Sequence, residues 1–332
     1  MDQLRVLIVI PCLNEAAFID ALVRFLVADC ADMDYHLVIA DGGSTDGTIN
    51  IAQGLAREFP RVDYMDNPKK IQSAAVNRVV QLYGDEADIL IRLDAHATYP
   101  KGYCKTLMSE AQDHGADSVV VTMQAQGHGA VQYTIAIAQN SKIGNGGSAH
   151  RGMTAQNGEW VDHGHHALMR IPAFRAVGGY DENFSHNEDA ELDIRLTCAG
   201  YKIWLTRATF MIYYPRSNYA ALFRQYMNYG AGRARTLMKH RLRPKIRQTL
   251  PMFVLPAFIM ASLGIVYPVF FVPVWMWVIT CLSYGVILGI QAGQGINFQI
   301  GWAAMVMHAG WSIGFWKVCA QNTIKKIRKD GS

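Results

Sequence analysis

Short apolar runs alternate with amphipathic helical patterns through the first part of the chain. The runs are "RVLIVIP", "HLVIAD", "VDYMD" and "ADILIRLD", and apolar residues recur at helical spacing between them. Strands and helices that alternate at this cadence predict a parallel sheet with helices on both faces. In such sheets, ligands bind beyond the carboxyl ends of the strands. The pattern therefore predicts an α/β domain with its site at that edge.

A second pattern begins near residue 248. Residues 248–316 contain no Asp, Glu, Lys or Arg, and a bilayer core takes about 20 apolar residues per helix. We expect a transmembrane hairpin over residues 250–290. The glycine-containing segment 300–316 is predicted to be interfacial or re-entrant, or to share a second hairpin. The alternative is a buried core segment of a water-soluble domain.

Charge divides the chain near the same place. Residues 1–232 carry 19 basic and 26 acidic side chains, whereas residues 233–332 carry twelve basic side chains and one acidic one. Anionic head groups attract each nearby Lys or Arg by about 1 kcal/mol. The basic tail therefore predicts membrane lipids as partners and gives no support for nucleic acid. The first residues lack the basic leader of a signal peptide, so we expect the N-terminal part in the cytosol.

Candidate functional residues follow the predicted strands. Pro11, Asp41 and Asp94 each end a strand, and His96 lies two positions beyond Asp94. If that strand continued, both side chains would face one way, and a carboxylate with an imidazole suits a divalent cation. The alternatives are a helix cap at Asp94, a surface histidine at His96, and an ordinary β-to-α loop in "DGGSTDGT".

Two further motifs lie later in the chain. "NEDAEL" places Glu188 and Asp189 at a predicted helix start, and adjacent carboxylates there cannot form the facing pair of a glycoside hydrolase. "VDHGHHALMR" contains His165 and His166, which we expect in a loop near the substrates. A zinc cluster is the alternative interpretation of these histidines.

These motifs occur in the order and spacing of a known family. The segments "PCLNE", "DGGSTDGT", "DAH" and "NED" resemble the family 2 glycosyltransferases, inverting enzymes of the GT-A nucleotide-sugar-binding fold, and most closely their succinoglycan-biosynthesis type. The resemblance implies a Rossmann-like mixed sheet followed by a helical membrane region. We accordingly expect a catalytic domain over residues 1–215, an amphipathic basic interfacial helix region over 216–247, transmembrane helices over 248–320 and a basic cytosolic tail over 321–332.

The resemblance also implies roles for single residues. Pro11, Asn14 and Glu15 would line the nucleotide pocket, and Asp41 would meet the uracil edge. Asp94 and His96 stand where the family has Asp-x-Asp, so they would hold Mg²⁺ or Mn²⁺ on the donor diphosphate.

The same resemblance assigns the catalytic groups. Asp189 matches the general base, with Glu188 beside it, and His165 and His166 would belong to a donor-sugar or acceptor loop.

The implied function is transfer of one sugar from a UDP-sugar donor, with glucose the expected sugar, to a polyprenyl-diphosphate-linked saccharide ending in galactose. The enzyme would act at the cytosolic face of a bacterial inner membrane in exopolysaccharide synthesis, where other assembly enzymes are possible partners. One alternative is a processive polysaccharide synthase, although the Gln-x-x-Arg-Trp motif of processive members is missing and "FRQYMNYGAGR" stands in that region. The other is a non-catalytic membrane scaffold with a degenerate nucleotide-sugar domain.

Overall fold

A single mixed sheet contains the nine strands found in the part of the chain that the computed structural model describes, residues 4–148 and 157–330. The last two residues of the predicted basic tail lie outside this part. The strands in chain order are β1 (Val6–Cys12), β2 (Tyr35–Asp41), β3 (Val62–Asp66), β4 (Ile89–Arg92), β5 (Ala97–Thr98), β6 (Ser118–Ala125), β7 (Glu159–Val161), β8 (His165–Arg170) and β9 (Ile203–Tyr213).

The sheet combines parallel and antiparallel pairing. Its order is β3-β2-β1-β4-β8-β6-β9-β5, with β7 paired to β9. The first four strands pair in parallel, whereas β8 runs antiparallel to β4 and β6. The parallel sheet predicted from the strand and helix pattern is therefore correct for β1 to β4 only. The regular alternation stops after β6, and the mixed sheet implied by the family resemblance is confirmed.

Thirteen α-helices occur within the described residues. They are α1 (Ile19–Asp29), α2 (Thr48–Glu58), α3 (Gln72–Tyr83), α4 (Tyr103–Asp113), α5 (Ala130–Asn140), α6 (Lys142–Asn145), α7 (Ile171–Ala176), α8 (Glu188–Cys198), α9 (Tyr219–Lys239), α10 (Ile246–Met252), α11 (Val254–Ala261), α12 (Val272–Gln291) and α13 (Phe298–Asp330).

Alternating strand residues build the core of the α/β part. Leu7 and Val9 of β1 are completely buried in one cluster with residues of α3, α7 and α8, including Val76, Phe174 and Leu192. The side-chain period of two along β1 turns these residues toward one face of the sheet. This packing holds α8 against the sheet, and α8 carries the Glu188–Asp189 pair.

The chain forms two compact units. The first contains residues 4–124 and 157–213, and the second contains residues 125–148 and 214–330. Segment 125–148, which carries α5 and α6, thus belongs with the C-terminal part in space, and no pattern along the chain predicted this. The domain boundaries expected from the sequence remain predictions.

The second unit contains two segments long and apolar enough to cross a membrane, Gln248–Ile265 and Pro268–Gln291. Both are largely exposed, and they coincide with the predicted hairpin. Segment 300–316 forms the first half of the continuous helix α13, so a re-entrant turn there is wrong. The amphipathic helix predicted within residues 216–247 is α9, and its buried Leu222 and Leu237 pack against residues of α13.

Glycines let α9 and α13 approach closely. A Cβ at Gly314 would overlap the carbonyl oxygen of Met227 on α9, and one at Gly230 would overlap the carbonyl oxygen of Trp311 on α13. Small residues at such crossings allow backbone contact, which is how helices associate where water supplies no hydrophobic driving force. The glycines of segment 300–316 therefore serve helix packing.

Gly314→Ala should destabilise the second unit, because the added methyl group forces α9 and α13 apart. Overpacking of this kind costs about 1–3 kcal/mol, and the change should lower the thermal unfolding temperature of the protein in detergent. The matched control is Gly54→Ala in α2, where a Cβ meets nothing within 4 Å. That control should be neutral or slightly stabilising, and equal effects of the two variants would contradict the packing role.

Candidate active site

The candidate site is built where the ends of β1, β2 and β4 meet. Cys12 pairs with Asp41 across β1 and β2, and Val9 pairs with Arg92 across β1 and β4. Strand β8 runs back along β4, so that its first residue, His165, lies beside the segment that follows β4. The candidate residues therefore lie at the carboxyl edge of the parallel strands, as expected, and β8 adds residues that these strands do not supply.

The Asp41 carboxylate accepts hydrogen bonds from residues of its own loop. Its Oδ1 accepts hydrogen bonds from the backbone N–H groups of Gly43 and Ser44 at 2.8 and 2.9 Å, and its Oδ2 accepts one from the Ser44 hydroxyl at 2.5 Å. The residue is 1% exposed. Asp41 therefore shapes the turn after β2, while its expected contact with a uracil edge remains a prediction.

The loop after Pro11, at the end of β1, is tied to the loop after β2. Asn14 has a positive φ of 58°; its N–H donates to Ser44 Oγ, and its Oδ1 accepts from the Thr45 N–H, both at 2.8 Å. Asn tolerates this left-handed conformation better than most residues. The Glu15 carboxylate lies 2.9 Å from His96 Nδ1. Asn14 and Glu15, two of the predicted nucleotide-pocket positions, are thus tied to the loop after β2 and to His96, and Pro11 lies just before them in β1.

Asp94 and His96 offer at most a two-residue cation site. Asp94 Oδ1 accepts a hydrogen bond from Gln72 at 3.1 Å, and its Oδ2 lies 3.6 Å from His165 Nε2. Within the described residues, no three His, Cys, Asp or Glu side chains are grouped to hold a metal ion. An oxygen and a nitrogen donor fit a divalent cation that takes its other ligands from a diphosphate and water. The zinc alternative for "VDHGHH" gains no support among these residues.

A buried arginine, which the sequence analysis missed, organises the site. The Arg92 side chain is 1% exposed and donates to both oxygens of Asp189, at 2.6 and 3.1 Å. It also donates to the Tyr180 hydroxyl at 3.0 Å. Such bidentate pairs are among the strongest hydrogen-bonded contacts in proteins. The only sequence signal was a charged residue that ends the apolar run "ADILIR".

His166 and Asp193 form a second buried pair beneath the first. Both side chains are 0% exposed, and His166 Nε2 lies 2.5 Å from Asp193 Oδ1. His166 Nδ1 lies 2.8 Å from the Tyr180 hydroxyl, and Asp193 Oδ2 accepts from the Gly164 N–H at 3.1 Å. The pair joins β8 to α8. Asp193 follows Asp189 by four residues, so the two lie on the same face of α8.

The expected loop at His165 and His166 is wrong, because both residues begin strand β8. Pairing with β4 on one side and β6 on the other draws them into the sheet. His166 is therefore buried and contacts Asp193 and the Tyr180 hydroxyl, whereas His165 lies 3.6 Å from both Asp94 and Asp189. A position of His165 near a sugar remains a prediction.

The two adjacent carboxylates have opposite pKa shifts. Burial opposes the charge of Asp189, but Arg92, His166 and His165 outweigh it and hold the pKa of Asp189 well below its usual range. Burial and the charge of Asp189 raise the pKa of Glu188 to about 7. Burial lowers the pKa of His165 to about 4, so its imidazole is neutral at pH 7. Divergent values for neighbouring titratable groups mark candidate functional sites.

Comparison with known proteins decides the family. The family described as Glycosyl transferase family 2 matches residues 7–178, which is more than half of the chain. The chain belongs to this glycosyltransferase family. The match ends before α8, so the Glu188–Asp189 pair lies outside it. Membership confirms the resemblance drawn from the strand-end motifs and makes the protein an enzyme of sugar transfer.

Two curated relatives and one solved structure extend this result. The glycosyltransferase is 56% identical over 311 residues to the succinoglycan biosynthesis protein ExoA of Rhizobium meliloti (strain 1021), covering 94% of each chain. It is 22% identical over 244 residues to a dolichyl N-acetyl-alpha-D-glucosaminyl phosphate 3-beta-D-2,3-diacetamido-2,3-dideoxy-beta-D-glucuronosyltransferase of Methanococcus voltae, covering 70% of this chain and 74% of that one. A mannosyltransferase of Pyrobaculum calidifontis, solved with GDP-mannose and Mn²⁺, aligns with a TM-score of 0.60 at 15% identity over 96% of this chain and 87% of that one. This likeness confirms the GT-A fold.

Asp193→Ala should destabilise the glycosyltransferase strongly, since it leaves His166 and the Gly164 N–H without their buried acceptor. Removing one partner of a buried pair costs about 3–5 kcal/mol. The matched control is Asp63→Ala, which removes a carboxylate 2.9 Å from His36 where both side chains are at least one third exposed. Exposed pairs contribute about 0–1 kcal/mol. Thermal unfolding should therefore separate the variants, and similar melting temperatures would contradict the structural role of the buried pair.

Proposed function

We propose that this glycosyltransferase adds one sugar, glucose from UDP-glucose, to a polyprenyl-diphosphate-linked saccharide during synthesis of a succinoglycan-like exopolysaccharide. The observation that carries the proposal is the 56% identity to the succinoglycan biosynthesis protein ExoA over 94% of both chains. The carboxylates of Asp94, Glu188 and Asp189 and the neutral imidazole of His165 lie together beyond the end of β4, and they support the sugar-transfer chemistry. We propose single addition because the motif of processive members is missing, as described above.

The donor would bind at the rim formed by the first two strand ends. Pro11, Asn14 and Glu15 would line the nucleotide pocket, and Asp41 would support the uracil side. The rim is tied together by backbone and side-chain hydrogen bonds, and a preformed pocket loses less conformational entropy when a nucleotide binds.

Asp94 and His96 would hold a divalent cation on the donor diphosphate. When bound, the cation would neutralise charge on the leaving diphosphate. Burial opposes the charge of Asp94, but His165, Arg92 and His96 lower its pKa, so Asp94 is ionised and ready to act as a ligand. Mn²⁺ and Mg²⁺ both accept carboxylate, and the nitrogen donor of His96 favours Mn²⁺. The mannosyltransferase with the same fold was solved with Mn²⁺.

The Glu188–Asp189 pair would act on the acceptor. In an inverting transfer, the acceptor hydroxyl attacks the anomeric carbon from the face opposite the diphosphate, and a carboxylate takes its proton. Both carboxylates are partly exposed, at 14% and 17% of their side chains. His165, which lies between Asp94 and Asp189, is placed to contact the donor sugar or the acceptor.

The apolar C-terminal segments would keep the enzyme beside its lipid-linked acceptor. Two of them are long enough to span a membrane, and basic residues precede and follow them. We propose a bacterial inner-membrane location with the catalytic domain in the cytosol, where membrane lipids and other exopolysaccharide assembly enzymes are the expected neighbours.

The proposed function is tested with the full chain in detergent, labelled UDP-glucose, Mn²⁺ and a polyprenyl-diphosphate-linked galactose. We expect a labelled lipid product, no product in EDTA, and recovery when Mn²⁺ or Mg²⁺ is returned. Asp94→Ala should abolish transfer and weaken the Mn²⁺-dependent binding of UDP measured by calorimetry. His96→Asp should keep binding and shift the preference toward Mg²⁺, which prefers oxygen ligands.

The control for Asp94→Ala is Asp85→Ala. The Asp85 side chain is 85% exposed, and this residue lies just before the start of β4, at the end of the strand opposite to Asp94. The control variant should leave transfer and UDP binding unchanged. Full transfer in EDTA would refute the cation, transfer only from another nucleotide sugar would refute the donor, and growth of long chains on one acceptor would favour a processive synthase.

Membrane topology provides a separate prediction. The basic residues on both sides of the apolar block should stay in the cytosol under the positive-inside rule, which requires an even number of crossings. A reporter fused after Ser332 should therefore read as cytosolic in intact bacterial cells. The control is the same reporter fused at the short connection near residue 266, which should read as periplasmic. A periplasmic signal from the terminal fusion would contradict the hairpin.

A further inference from the structure

The Asp189 carboxylate has little capacity left for a substrate proton. Its Oδ1 accepts from Arg92 at 2.6 Å and from the Tyr180 hydroxyl at 3.1 Å, with His166 Nδ1 at 3.4 Å. Its Oδ2 accepts from Arg92 at 3.1 Å and faces His165 Nδ1 at 3.6 Å. A carboxylate oxygen has two lone pairs, and those of Oδ1 are both engaged.

Arg92 cannot readily release Asp189. The guanidinium is 1% exposed, and its other acidic neighbours, Glu188 and Asp94, are no closer than 4.0 Å. Its Nε already has no hydrogen-bond partner within the described residues. Protonation of Asp189 would leave a buried arginine charge without its balancing anion, which proteins strongly disfavour.

Glu188 has the opposite surroundings. It opens α8 next to Asp189, and its side chain is 14% exposed. Among the residues that the structure describes, no other residue donates a hydrogen bond to its carboxylate, and the nearest cationic atom is Arg92 Nη1 at 4.0 Å. Glu188 is about as exposed as Asp189, at 14% against 17% of the side chain, so the difference between them is that the Glu188 carboxylate is free to accept a proton.

We propose that Glu188, rather than Asp189, takes the proton of the acceptor hydroxyl, and that Asp189 positions Arg92 and the start of α8. The inference rests on the proposed transfer reaction. As the acceptor oxygen forms its bond to the anomeric carbon, its proton passes to the Glu188 carboxylate. The bond from the anomeric carbon to the diphosphate oxygen breaks, and the electron pair leaves with the diphosphate.

The electrostatics agree with this division. Burial and the charges of Asp189 and Asp94 raise the pKa of Glu188 to about 7, and Arg92 opposes them. The Tyr180 hydroxyl also faces this group, and burial keeps it neutral by raising its pKa. A base works best when its pKa is near the working pH. Since Glu188 must be ionised to act, transfer should decline as the pH falls below about 7.

The first test compares variants of the two carboxylates in the full chain, using whichever nucleotide sugar gives turnover with the unaltered enzyme. Glu188→Gln should lower kcat by about 100-fold or more, with UDP binding and thermal stability unchanged. Glu188→Ala should recover part of its activity when formate is added, because the small carboxylate replaces the missing base. Any recovery of Asp189→Ala in formate should keep the decline near pH 7, because formate there replaces the anion beside Arg92 and not the base.

The second test separates a positioning role from misfolding. Asp189→Asn alone leaves Arg92 without its anion, so the double variant R92Q with D189N removes both charges and leaves the net charge of the site unchanged. We expect it to retain measurable transfer whose decline still falls near pH 7. The pH profile therefore reports Glu188 even where the rate is reduced.

Clear outcomes would overturn the proposal. Near-normal kcat in Glu188→Gln would assign the proton to Asp189, and failure of formate to restore any transfer to Glu188→Ala would remove Glu188 as the base. Transfer from a nucleotide sugar other than UDP-glucose would refute the proposed donor, yet the comparison of the two carboxylates would be read in the same way.

Discussion

The buried charge of Arg92 is the constraint on which the site depends. A guanidinium that is 1% exposed requires a nearby anion, because desolvation of an unpaired charge is very costly. Asp189, in the first turn of α8, supplies that anion, and its Oδ1 lies 2.6 Å from Arg92 Nη1. The end of β4 is thereby joined to the start of α8, and Tyr180, His165 and Glu188 are arranged around this ion pair.

The second buried pair reinforces the first from the other side. His166 of β8 lies between Asp193 and the Tyr180 hydroxyl, and that hydroxyl donates to Asp189. Burial opposes the charged form of His166, but Asp193 and Asp189 raise its pKa. Hydrogen bonds are strong in a low-dielectric interior, so this network is rigid, although Arg92 Nε has no partner among the described residues. Such rigidity would suit the proposed reaction, in which a carboxylate is held near the acceptor hydroxyl.

The sequence predicted the strand ends better than the contacts between them. Pro11, Asp41 and Asp94 were placed at one edge because the carboxyl ends of parallel strands meet there. The Arg92–Asp189 pair joins residues 97 positions apart, and it depends on the antiparallel return of β8, which the residue pattern did not indicate. His165 and His166 are expected in a loop because the stretch that ends with them has many Gly, Asn and His residues and little periodicity, but pairing on both sides makes them strand residues. Polar side chains that satisfy one another in the interior look like loop residues in a sequence.

The charge balance of the site explains why the proposed donor would need a cation. Arg92 is balanced by Asp189, and His166 lies against Asp193, which leaves Asp94, the partly ionised Glu188 and the carboxylates of Asp41 and Glu15 as excess negative charge. A nucleotide diphosphate would bring further negative charge to the same edge, and the neutral His165 cannot offset it. Repulsion between like charges is strong in a partly buried site. Asp94 and His96 would then act as the anchor of a divalent ion whose charge allows the diphosphate to approach. The histidine in place of a second aspartate lowers the negative charge of the site by one unit, so a single divalent cation goes further toward neutralising the bound donor.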